Sequence, residues 1–69
     1  MPKLRVDFNL TTSAGYCPAN ASGLDLGVGD QVGVYDLDTD IFLAEVVALG
    51  SGPNDLTLKI HFEKVLAES

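Results

Sequence analysis

Three carboxylates alternate with other residues in the segment between two predicted strands, where Asp36, Asp38 and Asp40 form the pattern D-x-D-x-D. Alternate carboxylates in a turn can converge on a hard cation such as calcium. The helix-loop-helix calcium motif requires Gly and Glu at its sixth and twelfth positions, where this chain has Ile41 and Val47. The pattern therefore favours an exposed hairpin kept soluble by its acids, with binding of a cation or another small ligand at residues 36–40 as the alternative.

Cys17 and His61 are the only thiol and the only imidazole in the chain. A catalytic pair would need these groups in contact and a third group to orient them. Cys17 falls in a predicted loop before Pro18, and His61 falls on the outward side of a predicted strand. A lone cysteine also excludes an internal disulfide, and the absence of a Cys/His cluster excludes structural zinc. We therefore expect a protein that is not an enzyme and that carries no cofactor.

Gly27 and Gly29 flank Val28 and faintly resemble a phosphate-binding loop. A dinucleotide fingerprint requires a third glycine at the right step and a helix behind it, whereas this chain has Val32 and a predicted strand. The alternation of Leu24, Leu26 and Val28 with these glycines instead predicts a bent or bulged strand over 24–28.

Tyr16 and Tyr35 are the aromatic residues that we expect to be exposed. Tyrosine is enriched at interfaces because it offers apolar area with a polar tip. If Tyr16 folds over Tyr35, an aromatic patch forms whose rim contains Asp30, Asp36 and Asp38. Such a patch would suit a peptide that carries Lys or Arg. The alternative is that Tyr16 only fixes its own loop to the rest of the domain.

The charge of the chain is strongly acidic, with 4 Lys and Arg against 10 Asp and Glu, and no Lys or Arg lies between residues 6 and 58. Nucleic-acid binding depends on basic residues that displace counterions from phosphates, so we expect no nucleic-acid partner. Anionic membranes are equally poor partners, and no run approaches the ~20 apolar residues of a membrane span. A partner protein or a basic peptide, met in the cytoplasm, is the expectation.

The pattern of apolar residues predicts an all-β fold in one domain over residues 1–69. Ala44, Glu45 and Ala48 favour a helix over 41–49, but the β-branched residues and flanking turns of that run favour a strand. The run is apolar on both faces, and a domain of this size buries only ~60% of its unfolded surface, so a homo-oligomer is an alternative structural role. The predicted strands are 3–10, 24–28, 31–37, 41–49 and 56–62, with a long loop over 11–23 and a short closing strand at Val65 and Leu66.

The stretch Val28-Gly29-Asp30-Gln31-Val32, the triplet Ala44-Glu45-Val46 and the strand ending at Phe62 resemble the Src-homology-3-like small barrels, which include the Tudor and KOW modules. The resemblance implies a small five-stranded barrel with a long first loop. The chain lacks the Trp and the aromatic-lined groove of polyproline binders and the basic loops of KOW modules. Only Tyr16, Tyr35 and Phe42 could supply an aromatic cage. We therefore expect an acidic, non-enzymatic interaction module.

Overall fold

The structure is a computed structural model that describes all residues from 1 to 69. The chain folds into strands joined by turns, with a single 3-10 turn as its only helical segment, so the all-β prediction is confirmed. The elements are β1 (Lys3–Arg5), the 3-10 turn (Phe8–Leu10), β2 (Tyr16–Asn20), β3 (Gln31–Tyr35), β4 (Ile41–Leu49) and β5 (Asp55–Ala67).

The five strands form one mixed sheet in the order β1-β3-β4-β5-β2. β3, β4 and β5 make an antiparallel meander, and β2 pairs antiparallel with β5. β1 pairs parallel with β3 and places Arg5 beside Tyr35. The first two strands of the chain therefore become the two edges of the sheet, on either side of a central meander.

The hydrophobic core lies on one face of this sheet and receives side chains from all five strands. Val46, Leu58 and Cys17 occupy adjacent positions on β4, β5 and β2, and none of the three has any exposed surface. No buried side chain is polar or charged. The core consists of Leu4, Val6, Cys17, Ala21, Val32, Val34, Ala44, Val46, Leu56, Leu58 and Ile60.

β4 has the bounds that the sequence predicts, 41–49, and the rival helix does not form. Ala44 and Val46 are fully buried and Phe42 packs against the core, so alternate residues of the strand point inward. This period of two is incompatible with a helix, whose buried face would repeat every three or four residues. The outward side chains Ile41, Leu43 and Val47 are only half-buried.

The predicted strand over 3–10 is wrong beyond Arg5, because the chain turns at Asp7. The Asp7 side chain accepts a hydrogen bond from the Asn9 N–H at 3.0 Å and so starts the 3-10 turn. Leu4 and Val6 are buried as the alternation predicts, whereas Leu10 is exposed. A local side-chain bond to the backbone has competed successfully with continued strand pairing.

The predicted loop over 11–23 contains β2, which supplies the fifth strand of the sheet. Its signal is an alternation of small residues, in which Cys17 and Ala21 are buried and Ala19 packs against the core. Small apolar side chains give a weak hydrophobic pattern, and Pro18 suggests a turn. Both features concealed a strand that occupies an edge of the sheet.

The segment 24–28, predicted as a bent strand, makes no strand pairing. Asp30 donates its backbone N–H to the Gly27 carbonyl at 3.0 Å and accepts the Gly27 N–H at 2.8 Å through its side chain. Gly29 lies inside this turn with a φ of 96°, in the region that favours glycine. The two glycines therefore form a turn that leads into β3.

The closing strand predicted at Val65 and Leu66 is not separate, because both residues belong to β5. β5 extends beyond the predicted end at Phe62 and pairs with β4 as far as Ala67. Its register shifts between the pairs Leu43 with His61 and Phe42 with Val65, which marks a bulge in the strand. The predicted 31–37 strand is correspondingly shorter and ends at Tyr35.

Replacing Leu58 with Ala should lower the free energy of unfolding by about 2–5 kcal/mol, because Leu58 is fully buried between β4 and β2. Urea unfolding followed by circular dichroism measures this change. Leu37→Ala is the matched control, since Leu37 is 71% exposed and its truncation should leave the midpoint nearly unchanged. Equal effects of the two substitutions would contradict the assignment of the core.

Candidate functional site

Tyr16 begins β2 and lies against Lys59 of β5, its partner in the sheet. The Lys59 ammonium lies 4.8 Å from the centroid of the Tyr16 ring, within the range of a cation–π contact. The same ammonium donates a hydrogen bond to the Ala14 carbonyl. Tyr16 thus helps to fix the segment that precedes β2, which is the alternative role that the sequence left open for it.

Tyr35 and the acids predicted to surround it are divided between the two ends of β3. Asp30 precedes this five-residue strand and Asp36 follows it. Tyr16 lies in register, through Lys59 and Glu45, with Gln31 at the start of β3, whereas Tyr35 is its last residue. The predicted patch of Tyr16, Tyr35, Asp30, Asp36 and Asp38 is therefore wrong as one surface, because register along the sheet separates its members.

Asp36 is the acid with the most partners at its end of the sheet. One carboxylate oxygen accepts the Phe8 N–H at 3.0 Å, and the other accepts the Leu37 N–H at 2.7 Å. Arg5 places its Nε 3.9 Å from the second oxygen. The backbone bonds from Phe8 and Leu37, followed by the charge of Arg5, hold the pKa of Asp36 below its usual value of 3.8. The carboxylate joins three separate parts of the chain.

The other two acids of the D-x-D-x-D pattern do not join Asp36 around a common point. Asp38 adopts a positive φ of 59°, which suits the tight turn that connects β3 to β4. One oxygen of Asp40 accepts the backbone N–H of Ser69 at 3.0 Å. No group of three or more His, Cys, Asp or Glu side chains has an arrangement that could hold a metal ion. The turn is held by Thr39, whose N–H donates to the Asp36 carbonyl at 3.4 Å and whose hydroxyl oxygen accepts the Asp36 N–H at 2.9 Å.

A polar cleft lies between the first segment of the chain and β2, with the turn after β3 at its side. Its volume is about 730 Å³. Arg5 and Asp7 contribute its charged lining together with Asp36, while Pro18 and the exposed Leu37 contribute apolar surface. Near this cleft the Cys17 thiol lies 3.6 Å from the Asp7 carbonyl oxygen and so connects the two segments. Two carboxylates and one guanidinium give the cleft a net negative lining.

The free edge of β2 beside this cleft is protected against pairing with another strand. The Gly15 carbonyl accepts the Ile60 N–H and the Ala21 N–H donates to the Asn54 carbonyl, both at 2.8 Å. The backbone N–H and C=O groups of the odd-numbered residues of β2 therefore face β5. The backbone groups of the even-numbered residues, including Pro18, face away from β5. Proline has no N–H to offer at that position, which is a common protection of edge strands. This wall of the cleft therefore lacks one backbone donor, at Pro18.

Three phenylalanines meet at the end of the sheet where Asp36 lies. The ring centroids of Phe8, Phe42 and Phe62 are 5.2 to 5.9 Å apart, and all three pairs meet edge to face. Rings in this mutual contact leave no space for a cation between them. Phe42 is committed to this cluster, so the cage considered from Tyr16, Tyr35 and Phe42 does not assemble.

Cys17 and His61 lie on opposite faces of the sheet. Cys17 is fully buried in the core, while the His61 ring lies outside and approaches Glu63, with Nδ1 3.4 Å from the carboxylate. The thiol instead faces the carbonyl oxygens of Asp7 and Pro18. The structure does not bring the thiol and the imidazole together.

Sequence reasoning missed the contribution of Arg5, Asp7 and Leu37 to the site. The alternation over 3–10 does place Arg5 and Asp7 on the outward side, which was an available signal. Their proximity to Asp36 depends on the parallel pairing of β1 with β3, and that pairing has no local signature in the chain. Leu37 was assigned to a strand, where an exposed apolar residue would attract no attention.

Comparisons of this chain with protein-family models, with curated proteins and with solved structures found no match in any of the three. The structure contains no helix with the length and hydropathy that crossing a lipid bilayer requires. The assignment of a role therefore depends on the cleft and on the charges around it.

Replacing Asp36 with Asn should destabilise the fold at neutral pH and flatten its stability profile in acid. A lowered folded-state pKa gives stability that is present above the unfolded value of about 3.8 and is lost as pH falls through the folded value. The wild type should lose this contribution below about pH 4, and the variant has none to lose. Thermal unfolding across that pH range measures the difference.

Asp25→Asn is the control for this experiment, because it removes the same charge from an exposed residue in the loop before β3, at the opposite end of the sheet. Its stability should follow the wild-type profile. An Asp36→Asn profile parallel to that of the wild type would show that the Phe8 and Leu37 bonds do not depend on the carboxylate charge.

Proposed function

We propose that this chain is a non-enzymatic interaction module whose polar cleft binds an extended segment of a partner protein that carries Lys or Arg. The observation that carries the proposal is the lining of the cleft, which combines the carboxylates of Asp7 and Asp36 with the exposed side chain of Leu37. A cationic side chain would meet the carboxylates while its neighbours cover Leu37.

Electrostatics supports a basic partner over an acidic one. The net charge of the chain is −6, and the turn after Asp36 adds the carboxylates of Asp38 and Asp40. Complementary charge accelerates encounter and excludes partners of like charge more than it adds to affinity. Arg5 is the one cation in the cleft lining, so a partner segment that also carries an acid next to its cation would match the site best.

The rigidity of Asp36 supports recognition rather than mere solubility. Its two oxygens are held by the N–H groups of Phe8 and Leu37, so its position is fixed before any ligand arrives. A preorganised group loses little conformational entropy on binding, and its remaining lone pairs can still accept from a cation. The bond from Leu37 also fixes the backbone of that exposed leucine.

The architecture that we propose for this module is a small, incompletely closed barrel of the Src-homology-3-like kind. The shared core from all five strands supports this curvature, as does the approach of the Cys17 thiol to the Asp7 carbonyl across the two edge segments. In such a barrel the cleft is the remaining opening between β1 and β2. Binding there would complete the closure.

Charge reversal at Asp38 should weaken binding of a basic peptide roughly tenfold, or about 1.4 kcal/mol, by placing a lysine beside the cleft. The probe is a short unstructured peptide in which Lys alternates with Thr and Gln, titrated by NMR at about 0.15 M salt, where the Debye length is about 8 Å. Shifts should concentrate at Arg5, Asp36 and Leu37. A matched peptide with Glu in place of Lys should give none.

Asp25→Lys is the control, since it makes the same change of charge at an exposed residue outside the lining of the cleft. Its affinity for the basic peptide should remain within about twofold of the wild type, because salt screens exposed charges that do not contact the ligand. Equal weakening by Asp25→Lys and Asp38→Lys would mean that net charge alone attracts the peptide, and the cleft would lose its assignment. If only Asp38→Lys weakens binding, a protein captured from native lysate by the wild type and by Asp25→Lys, but not by Asp38→Lys, is the natural partner.

A further inference from the structure

The C-terminal part of β5 is an open edge of the sheet. β5 pairs with β4 from Leu56 to His61 and again at Val65 and Ala67, whereas β2 covers its other side only from Asp55 to Lys59. Beyond that point residues 62–67 have no strand on their outer side, and every one of them is exposed. An uncovered edge offers free N–H and C=O groups to another strand.

The backbone of Val65 points toward this open side. The Val46 N–H donates to the Asp30 carbonyl, and the Val46 carbonyl accepts the Gly29 N–H. The backbone groups of the even-numbered residues of β4, including Phe42, therefore face β3. Phe42 is the partner of Val65 on the β5 side. Because the backbone N–H and C=O of Phe42 face away from β5, Phe42 and Val65 form a non-hydrogen-bonded pair. The N–H and C=O of Val65 therefore face outward.

The same segment exposes apolar side chains that an added strand would cover. Phe62, Val65 and Leu66 are 43%, 46% and 46% exposed. Phe62 is held by ring contacts with Phe8 and Phe42, so it is a fixed part of the surface. In contrast to β2, whose edge carries Pro18, this edge has no residue that lacks an N–H.

We propose that a second copy of this chain pairs antiparallel with this edge, about a two-fold axis that passes beside Val65. The two Val65 residues then exchange both of their backbone hydrogen bonds. No two charged residues face each other directly in this register. Lys64 lies opposite Leu66 of the second copy, and Glu63 lies opposite its Ala67. Glu68 of the second copy is two steps from Lys64, which adds an attraction across the pair.

Charge and backbone direction together select this register over its neighbours. Centring the pair on Lys64 would place two lysines opposite each other, which is destabilising. In a pair centred on Leu66, Val65 would face Ala67 of the second copy, and in a pair centred on Glu63 it would face His61. Ala67 or His61 would then need outward-facing backbone groups. These two residues are the partners of Ile41 and Leu43, which point toward β5, so their backbone groups are already directed at β4. Only the Val65-centred pair gives Val65 an outward-facing partner without opposed lysines. Its hydrogen bonds are the two that the Val65 residues exchange, because Ala67, which faces Glu63, is directed at β4.

This dimer is distinguishable from the peptide binding proposed above, because the two respond to salt in opposite directions. Two chains of charge −6 repel each other, so screening should strengthen the dimer. Screening should weaken the attraction between an acidic cleft and a basic peptide. The inference concerns a different surface and does not depend on the cleft.

Sedimentation velocity across a range of protein concentrations tests the proposal. The wild type should show a monomer–dimer equilibrium whose dissociation constant falls as salt is raised. Val65→Pro should weaken the dimer at least tenfold, because proline removes the outward N–H and leaves the pairing of β5 with β4 intact. Val65→Thr keeps the N–H and the branched shape and should dimerise as the wild type does. A wild type that remains monomeric throughout, or a Val65→Pro variant that still dimerises, overturns the proposal.

A cross-linking variant tests the register and covers the case in which Val65→Pro fails to fold. Hydrogen-bonded residues opposite each other in an antiparallel pair have Cα atoms about 5.5 Å apart, a distance that a disulfide can span. Val65→Cys should therefore give a covalent dimer under mild oxidation, while Asp25→Cys, at the other end of the sheet, should not. The native Cys17 is fully buried and does not compete. Equal cross-linking of both variants, or of neither, contradicts the Val65-centred pair.

Discussion

The side chains of Val46, Leu58 and Cys17 meet on three adjacent strands and exclude solvent completely. A chain of 69 residues with one cysteine and no helix has few other sources of stability, since a small domain buries only about 60% of its unfolded surface. Each strand must therefore contribute to this one buried face. That requirement brings β2 back against β5 and β1 against β3, and the cleft lies between these two returning strands.

The meander β3-β4-β5 was predictable because its larger residues alternate and its connections carry strong turn signals. β2 was not, because Cys17, Ala19 and Ala21 alternate with too little hydrophobic area to stand out from a loop. The pairing of β1 with β3 is parallel and joins segments far apart in sequence, and such pairing leaves no local trace. The Tyr16 and Tyr35 patch failed for the same reason, since only the register shows that the two tyrosines lie at different ends of the strands.

The role of Asp36 shows why a site can contain predicted residues in an unpredicted arrangement. Its position in an acidic turn suggested either solubility or cation binding. In the folded chain its two oxygens accept the N–H groups of Phe8 and Leu37, and the Phe8 bond spans 28 positions. A carboxylate held in this way contributes to stability and also presents a fixed charge to the cleft. Both properties come from the turn at Asp7, which brings Phe8 to the end of β3.

The outer edge of β2 and the uncovered part of β5 differ in the backbone groups that they expose. On β2, Pro18 occupies an outward position and removes a donor, so the edge beside the cleft resists pairing while its side chains remain available. On β5, Val65 occupies an outward position and keeps its donor, and the apolar side chains around it remain uncovered. The bulge in β5 limits regular pairing on either side of Val65 but does not remove the donor of Val65 itself. This difference between the two edges is the physical basis on which we propose side-chain recognition for the first edge and backbone pairing for the second.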